Sequence, residues 1–140
     1  MTINQAVREA TAQLAAAGID SAAVEARLLM RYLLAEPGAA EVAGAGEATE
    51  AAASAPRAAV DPGTLFLRAD DPAPAEYGDW VARRVAREPL QHIVGSAPFC
   101  GMDLFVEPGC FVPRPETELL AEWAARFLAG RPTPRVVDLC

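Results

Sequence analysis

A chain of 140 residues has room for one domain, or for one and a piece of a second. With 19 acidic side chains against 12 arginines, no lysine and a formal charge of −7, it lacks the basic stripe of a nucleic-acid-binding module. Its 52% apolar content suits a globular state, but alanine supplies much of that share, so the core must come from the scattered Leu, Val, Ile and aromatic residues, which bury more area each.

Ile3, Val7, Ala10, Leu14 and Ala17 recur at helical spacing. They predict a helix over 2–17, with a Thr2/Gln5 capping box at its start and Gly18 as its stop. A second helix is expected from about Ser21, capped by Asp20 or Ser21, with Val24, Leu28, Leu29, Tyr32 and Leu33 as its apolar face and Glu36-Pro37-Gly38 as its end. Residues 38–60 are Ala, Gly, Glu, Ser and Thr with no aromatic side chain. Such a stretch buries too little apolar area to offset its ordering entropy, and it reads as a mobile insertion with a transient helical piece at 47–53.

Asp61-Pro62-Gly63 reads as a turn, and Leu65, Phe66 and Leu67 as a short apolar anchor. A third long helix is expected over about 74–87, with Tyr77, Trp80, Val81 and Val85 on one face. Arg83, Arg84 and Arg87 read as a solvated face, with contact to an acidic partner as the alternative. Gln91–Phe99 and Leu104–Val112 are rich in strand formers and predict a β-hairpin turning at Gly101-Met102-Asp103. Pro115 then suits the first position of a fourth helix, and Glu116 and Glu118 suit the positive end of its dipole. Leu119, Leu120, Trp123, Phe127 and Leu128 would form its buried face, Gly130 its stop, and Arg135–Cys140 a buried strand. Both tryptophans are expected in the core.

The three cysteines, Cys100, Cys110 and Cys140, include no Cys-x-x-Cys pair, so neither a disulfide framework nor a metal site is expected. No signal-peptide pattern follows Met1, and no long uncharged apolar run exists. A reduced, cytoplasmic chain without membrane or nucleic-acid contact is expected.

Phe111-Val112-Pro113-Arg114-Pro115-Glu116-Thr117-Glu118 holds the most pointed constellation. Its plain reading is a rigid loop that starts a helix. Its sharper reading is a ligand-facing loop, in which prolines hold an arginine, a hydroxyl and two carboxylates in place. His92, the only histidine, reads as a packing residue rather than an acid or base, and Gln91 as a bridge between domains or toward substrate.

Four ordered stretches carry a resemblance: Glu88-Pro89-Leu90-Gln91-His92-Ile93-Val94-Gly95, Phe99 to Leu104, Val112 to Leu120, and Val136-Val137-Asp138-Leu139. With Ala16 to Ser21 and Glu25 to Leu29, they resemble the release-factor glutamine methyltransferases over nearly the whole chain except 38–60. Cys100 departs from the resemblance, standing where the family often has an aromatic ring. The resemblance implies a mainly α architecture: a helical, substrate-binding N-terminal domain over 1–88, a β-hairpin linker over 89–112, and over 113–140 the first helix and strand of a truncated Rossmann-like domain that binds S-adenosylmethionine. It implies methyl transfer to the side-chain amide of the glutamine in a release factor's Gly-Gly-Gln motif, by a monomer whose partner is the peptide-chain release factor. It carries a place beside the donor onto Phe111, Pro113, Arg114, Pro115, Thr117 and Glu118, a donor-loop-shaping role onto Asp138, and a substrate-side role onto Gln91.

The family's Asn-Pro-Pro-Tyr motif and glycine-rich donor loop do not occur in these 140 residues. No catalytic residue is therefore assigned, and the chain alone is expected to be inactive. Two other readings stand beside this one: a non-catalytic helical protein-binding module or remnant, and a methyltransferase of nucleic-acid amino groups. The acidic balance speaks against the second.

Overall fold

A computed structural model describes residues 1–35, 58–137 and 139. The fold is mostly helical with one small antiparallel sheet. Helix α1 spans Ile3–Ala16 and α2 spans Ala22–Leu33. The Thr2/Gln5 capping box forms in both directions, at 3.0 and 3.3 Å. The next N–H groups of the first turn would otherwise lack partners. They find them in another segment, Ile3 donating to the Asp71 carbonyl at 2.9 Å and Asn4 to that of Ala69 at 3.0 Å. Gly18, at φ +73°, turns the chain out of α1.

Helices α1 and α2 pack through faces that mix large and small side chains. Leu14, Leu29 and Met30 are fully buried, while Ala6, Ala10, Ala22 and Ala26 are at most 5% exposed. The expected apolar face of α2 is rotated: Val24 lies exposed, and Ala22, Ala26 and Met30 take the buried positions with Leu29 and Tyr32. The period allows either stripe, and the small alanines let the helices approach closely on theirs. The expected end of α2 at Glu36-Pro37-Gly38 and most of the 38–60 insertion lie outside the described residues.

Asp61-Pro62-Gly63 starts a helix rather than a turn. Asp61 caps α3, Pro62–Leu67, by accepting from the Gly63 N–H at 2.7 Å, with Pro62 in the first turn. The expected anchor is only partly realised. Leu65 packs on the core, whereas Phe66 and Leu67 face outward.

Helix α4, Tyr77–Val85, is shorter than expected and lies against both α1 and α2. Tyr77 and Val81 are buried, Trp80 packs partly buried beside them, and Val85 is exposed. The Tyr77 hydroxyl donates to the Ala26 carbonyl at 2.9 Å, and burial pushes its pKa well up.

The three arginines after Trp80 are a solvated face only in part, Arg87 being exposed and Arg84 largely buried, and each has a partner. Arg84 pairs with Glu25 of α2, Arg83 with Glu88, and the Arg87 guanidinium donates to the Ala17 carbonyl at 2.6 Å, closing the open C-terminus of α1. Arg87 itself sits at φ +70°, a conformation that a non-glycine residue rarely adopts without tertiary support.

The hairpin is shorter than its strand-forming composition suggests. Pro89 precedes a one-turn helix, α5, Leu90–Val94, which buries Ile93 and Val94 and ends at Gly95 with φ +73°. Strands β1, Ser96–Phe99, and β2, Met102–Phe105, pair antiparallel with Ser96 opposite Phe105 and Phe99 opposite Met102. The two-residue turn is Cys100-Gly101, both at positive φ (49° and 77°), as a primed hairpin turn requires. Helix α6, Pro115–Leu128, forms as expected but buries nothing. Leu119, Leu120, Trp123 and Phe127 are more than half exposed. Residues 135–137 form no strand and are exposed, and no further strand among the described residues offers them a ladder. Of the tryptophans, Trp80 meets the core and Trp123 does not.

Candidate functional site

The loop between β2 and α6 carries most of the residues singled out in the sequence. It is tied down at its start, where the Val106 N–H donates to the Gly95 carbonyl at 3.1 Å. A turn comes next, closed by the Cys110 N–H on the Glu107 carbonyl at 2.9 Å, with Gly109 at φ +99°. The His92 ring reaches across from α5, its Nε2 lying 3.0 Å from the Cys110 carbonyl. A carbonyl only accepts, so this contact places the ring proton on Nε2. His92 thus does positional work, joining α5 to the residue before Phe111.

Beyond Cys110 the chain runs extended into α6. Arg114 is its N-cap, with φ −97° and ψ 140°, and Pro115 takes the first helical position, where its missing N–H costs nothing. The Arg114 guanidinium lies 5.7 Å from the centre of the Phe111 ring, a cation–π arrangement on the protein surface. No side chain caps the helix, and the Thr117 N–H donates to the Arg114 carbonyl at 3.0 Å. The hairpin tip approaches from the other side, Cys100 Sγ standing 4.0 Å from the Glu118 carbonyl. Burial, then the Glu118 and Glu122 carboxylates, push the Cys100 thiol upward, which disfavours a reactive thiolate.

The structure therefore gathers Phe111, Pro113, Arg114, Pro115, Thr117 and Glu118 along one loop and helix start. Gln91 sits half-buried on α5, one residue from the His92 link. Asp138 and Cys140 lie outside the described residues. An aromatic face, a guanidinium and a carboxylate suit one side of a methyl donor that carries a base, a carboxylate and an ammonium. They do not enclose one: all six residues are exposed or half-buried, and the clefts on the helical part are lined by other residues. Ligand sites bury most of their ligand, so this loop alone could form no more than one edge of such a site. Among the described residues no three His, Cys, Asp or Glu side chains gather as metal ligands would, and no helix is long and apolar enough to cross a membrane.

Comparison with known proteins decides the family. The PrmC N-terminal domain family matches residues 5–55 and 55–95, which hold α1 to α5. The chain belongs to the release factor glutamine methyltransferases. Relatives of that name agree with it from end to end. The release factor glutamine methyltransferase of Corynebacterium glutamicum is 43% identical over 141 residues, covering 100% of this chain and 42% of the relative. That of Mycobacterium tuberculosis is 39% identical over 143 residues, covering 100% of this chain and 38% of the relative. A 4-amino-L-phenylalanine/4-methylamino-L-phenylalanine methyltransferase of Streptomyces pristinaespiralis is 37% identical over 146 residues, covering 99% of this chain and 42% of the relative. The chain thus spans about two-fifths of the length of these relatives.

Sequence reasoning misses three things of consequence: the His92–Cys110 link, the arginine pairs of α4, and a groove beside Arg27 and Arg31. The partners in the first two stand between five and 70 positions apart, and no local pattern announces them. The groove does leave a signal. Val24, Arg27, Leu28 and Arg31 share one side of α2, where Leu28 packs on the core while Val24 and Arg27 stay exposed.

Proposed function

We propose that this chain is the substrate-side portion of an enzyme that uses S-adenosylmethionine to methylate the glutamine amide of a release factor's Gly-Gly-Gln motif in the cytoplasm. Residues 1–88 serve as the helical substrate-binding domain, 89–112 as the linker, and 113–140 as the first part of a Rossmann-like donor-binding domain. The observation that carries the reading is the match of α1 to α5 to the PrmC N-terminal domain, joined to 39–43% identity, over the whole of this chain, with relatives named for this activity. The protein acts as a monomer, with the release factor as its partner.

An amide nitrogen is a weak nucleophile because its lone pair is delocalised into the carbonyl. Catalysis must align it with the methyl group and accept its N–H protons. S-adenosylmethionine, when bound, supplies an electrophilic methyl on a sulfonium. In this chain Phe111, Pro113, Arg114, Pro115, Thr117 and Glu118 form one rim of the donor site, and Asp138 shapes the start of the donor loop. Gln91 lies on the side from which substrate approaches. His92 holds that rim against α5 through the Cys110 carbonyl at 3.0 Å. No catalytic group is assigned to these 140 residues.

The test uses labelled donor and purified release factor, with the labelled residue located by mass spectrometry. The 140-residue chain alone is expected to capture release factor and leave it unlabelled. The chain joined to the remaining portion of the Corynebacterium glutamicum relative is expected to label the Gly-Gly-Gln glutamine. Label appearing instead on a free aromatic amine, as the name of the Streptomyces relative suggests for that protein, would reassign the substrate.

A further inference from the structure

A groove of about 490 Å³ runs between α1, α2 and α3, on the helical part and away from the loop at 111–118. Its floor is apolar, formed by Ile3, Val7, Leu28 and Leu65. Two features of its rim bear on what it could hold. Val24 and Phe66 stand at its edges 63% and 85% exposed, extending the apolar floor outward. Among the described residues, the charged ones lining it are Arg27 and Arg31, with no acidic side chain, although the chain carries 19 acids and a net charge of −7.

Neither arginine is committed to a carboxylate among the described residues. Arg31 donates through Nε to the Val60 carbonyl at 2.6 Å, which fixes its stem. Arg27 is exposed. The contrast with α4 is informative, since Arg83 and Arg84 each close on an acid of their own. The two rim arginines stand four positions apart on α2, one helical turn, which matches acids one turn apart on a docked helix.

We infer that this groove is a docking site for a protein segment that presents carboxylates one helical turn apart beside large apolar side chains, and that, resting on the proposed release-factor activity, the segment belongs to the release factor. The apolar floor takes the segment's apolar side chains, and Arg27 and Arg31 pair with its acids. None of the residues lining the groove belongs to the loop at 111–118, so the docking governs capture of the substrate protein and not the chemistry.

The experiment measures the affinity of the intact chain for purified release factor, with Arg27→Glu, Phe66→Ser and their combination as groove variants. All change exposed side chains, and circular dichroism and thermal melting confirm that each folds. Arg126→Glu on α6 makes the same charge change elsewhere. The combined groove variant is expected to bind at least tenfold more weakly, Arg126→Glu within twofold of the parent, and parental binding to weaken as salt rises. Parental affinity retained by the combined variant overturns the docking site while leaving the release-factor reading intact. Absence of any binding by the parent chain overturns both. Three other results also overturn the docking site. One is protection of Phe66 from hydroxyl-radical oxidation in the free chain, which means the groove is already covered. Another is a parental dimer that Phe66→Ser dissociates. The third is an RNA oligonucleotide whose binding the groove variants abolish while release-factor binding persists.

Discussion

Arg84 of α4 grips Glu25 of α2 with two nitrogens, Nε on Oε2 and Nη2 on Oε1 at 3.2 Å, across 59 positions of sequence. The side chains are only 18% and 14% exposed, so the pair is closer to a buried bridge than to a surface one. Ser21 adds a third hydrogen bond to the same carboxylate at 2.8 Å. The sequence offers Ser21 as a side-chain cap for α2, but its backbone, at φ −89° and ψ 21°, is not in the extended conformation of a capping residue, and its hydroxyl instead donates to Glu25.

This pair sets the first prediction, the response to acid. The Arg84 hydrogen bonds hold the Glu25 carboxyl below its ordinary 4.5, with burial opposing them and Ser21 assisting. A group whose folded pKa is depressed contributes stability that is present above its unfolded pKa and is lost as pH falls through the folded one. Unfolding free energy should therefore decline as pH drops below about 4.5, and Glu25→Gln should flatten that decline. Arg84→Ala at neutral pH leaves a largely buried carboxylate with one partner, and should cost about 1–3 kcal/mol, between the ranges for exposed and fully buried pairs. Urea titrations of the three proteins from pH 3 to pH 7 measure both effects.

A second prediction separates packing from hydrogen bonding within the same core. Leu14 is 0% exposed where α1 meets α2, and Leu14→Ala should cost about 2–5 kcal/mol, because the lost transfer energy adds to the cavity left behind. Tyr77→Phe removes only the hydroxyl that donates to Ala26 and should cost about 1 kcal/mol. Thermal unfolding that ranks the two the other way would place the weight of this core on its polar contact.

How much of this is legible in the sequence depends on range. The capping box at Thr2 and Gln5, Gly18 after α1, and Pro115 opening α6 rest on neighbours within a turn, and each forms as expected. Asp61-Pro62-Gly63 carries an equally local signal, but the same three residues serve a turn or a helix start, and Thr64 to Leu67 decide it by coiling so that Leu65 reaches the core. The strand-forming Gln91–Val94 becomes α5 because Ile93 and Val94 can bury against α2 and α4 only when the chain coils there. The arginine pairs have no local signal, since Glu25 and Arg84 meet only once α2 and α4 pack. For the site, the loop from Phe111 to Glu118 is legible as a unit because proline fixes its backbone, whereas the His92–Cys110 contact requires the fold.

The hairpin turn gives a third prediction. Gly101 holds φ +77°, where a side chain is strained whatever the space around it. Gly101→Ala should cost about 1 kcal/mol. Cys100 already holds φ 49° as a non-glycine residue, and Asn tolerates that region better. Cys100→Asn should therefore raise the urea midpoint without changing the slope. Its thiol, pushed upward first by burial and then by Glu118 and Glu122, should also react with iodoacetamide at pH 8 more slowly than free cysteine does. Mass-resolved alkylation, which separates Cys100 from Cys110, reads this directly.

The last prediction concerns α6, whose amphipathic face finds no partner among the described residues. Trp123 stacks on Phe127 at 5.2 Å, and Arg131 lies 4.2 Å above the Phe127 ring, so the apolar stripe is closed on itself and capped by a cation while still more than half exposed. Contacts confined to one helix and its following turn add nothing to the packing of α1, α2 and α4. Trp123→Ala should then change the unfolding free energy of the helical part by no more than about 0.5 kcal/mol, the range of surface substitutions. Trp80→Ala should cost several times more, because Trp80 packs on that core. Fluorescence distinguishes the two rings in the native state. Iodide should quench the emission of a Trp80→Phe protein strongly, since only exposed Trp123 remains, and that of a Trp123→Phe protein weakly. Weak quenching of both would mean that α6 has buried its face against something in solution, and its stripe would then count as part of the core.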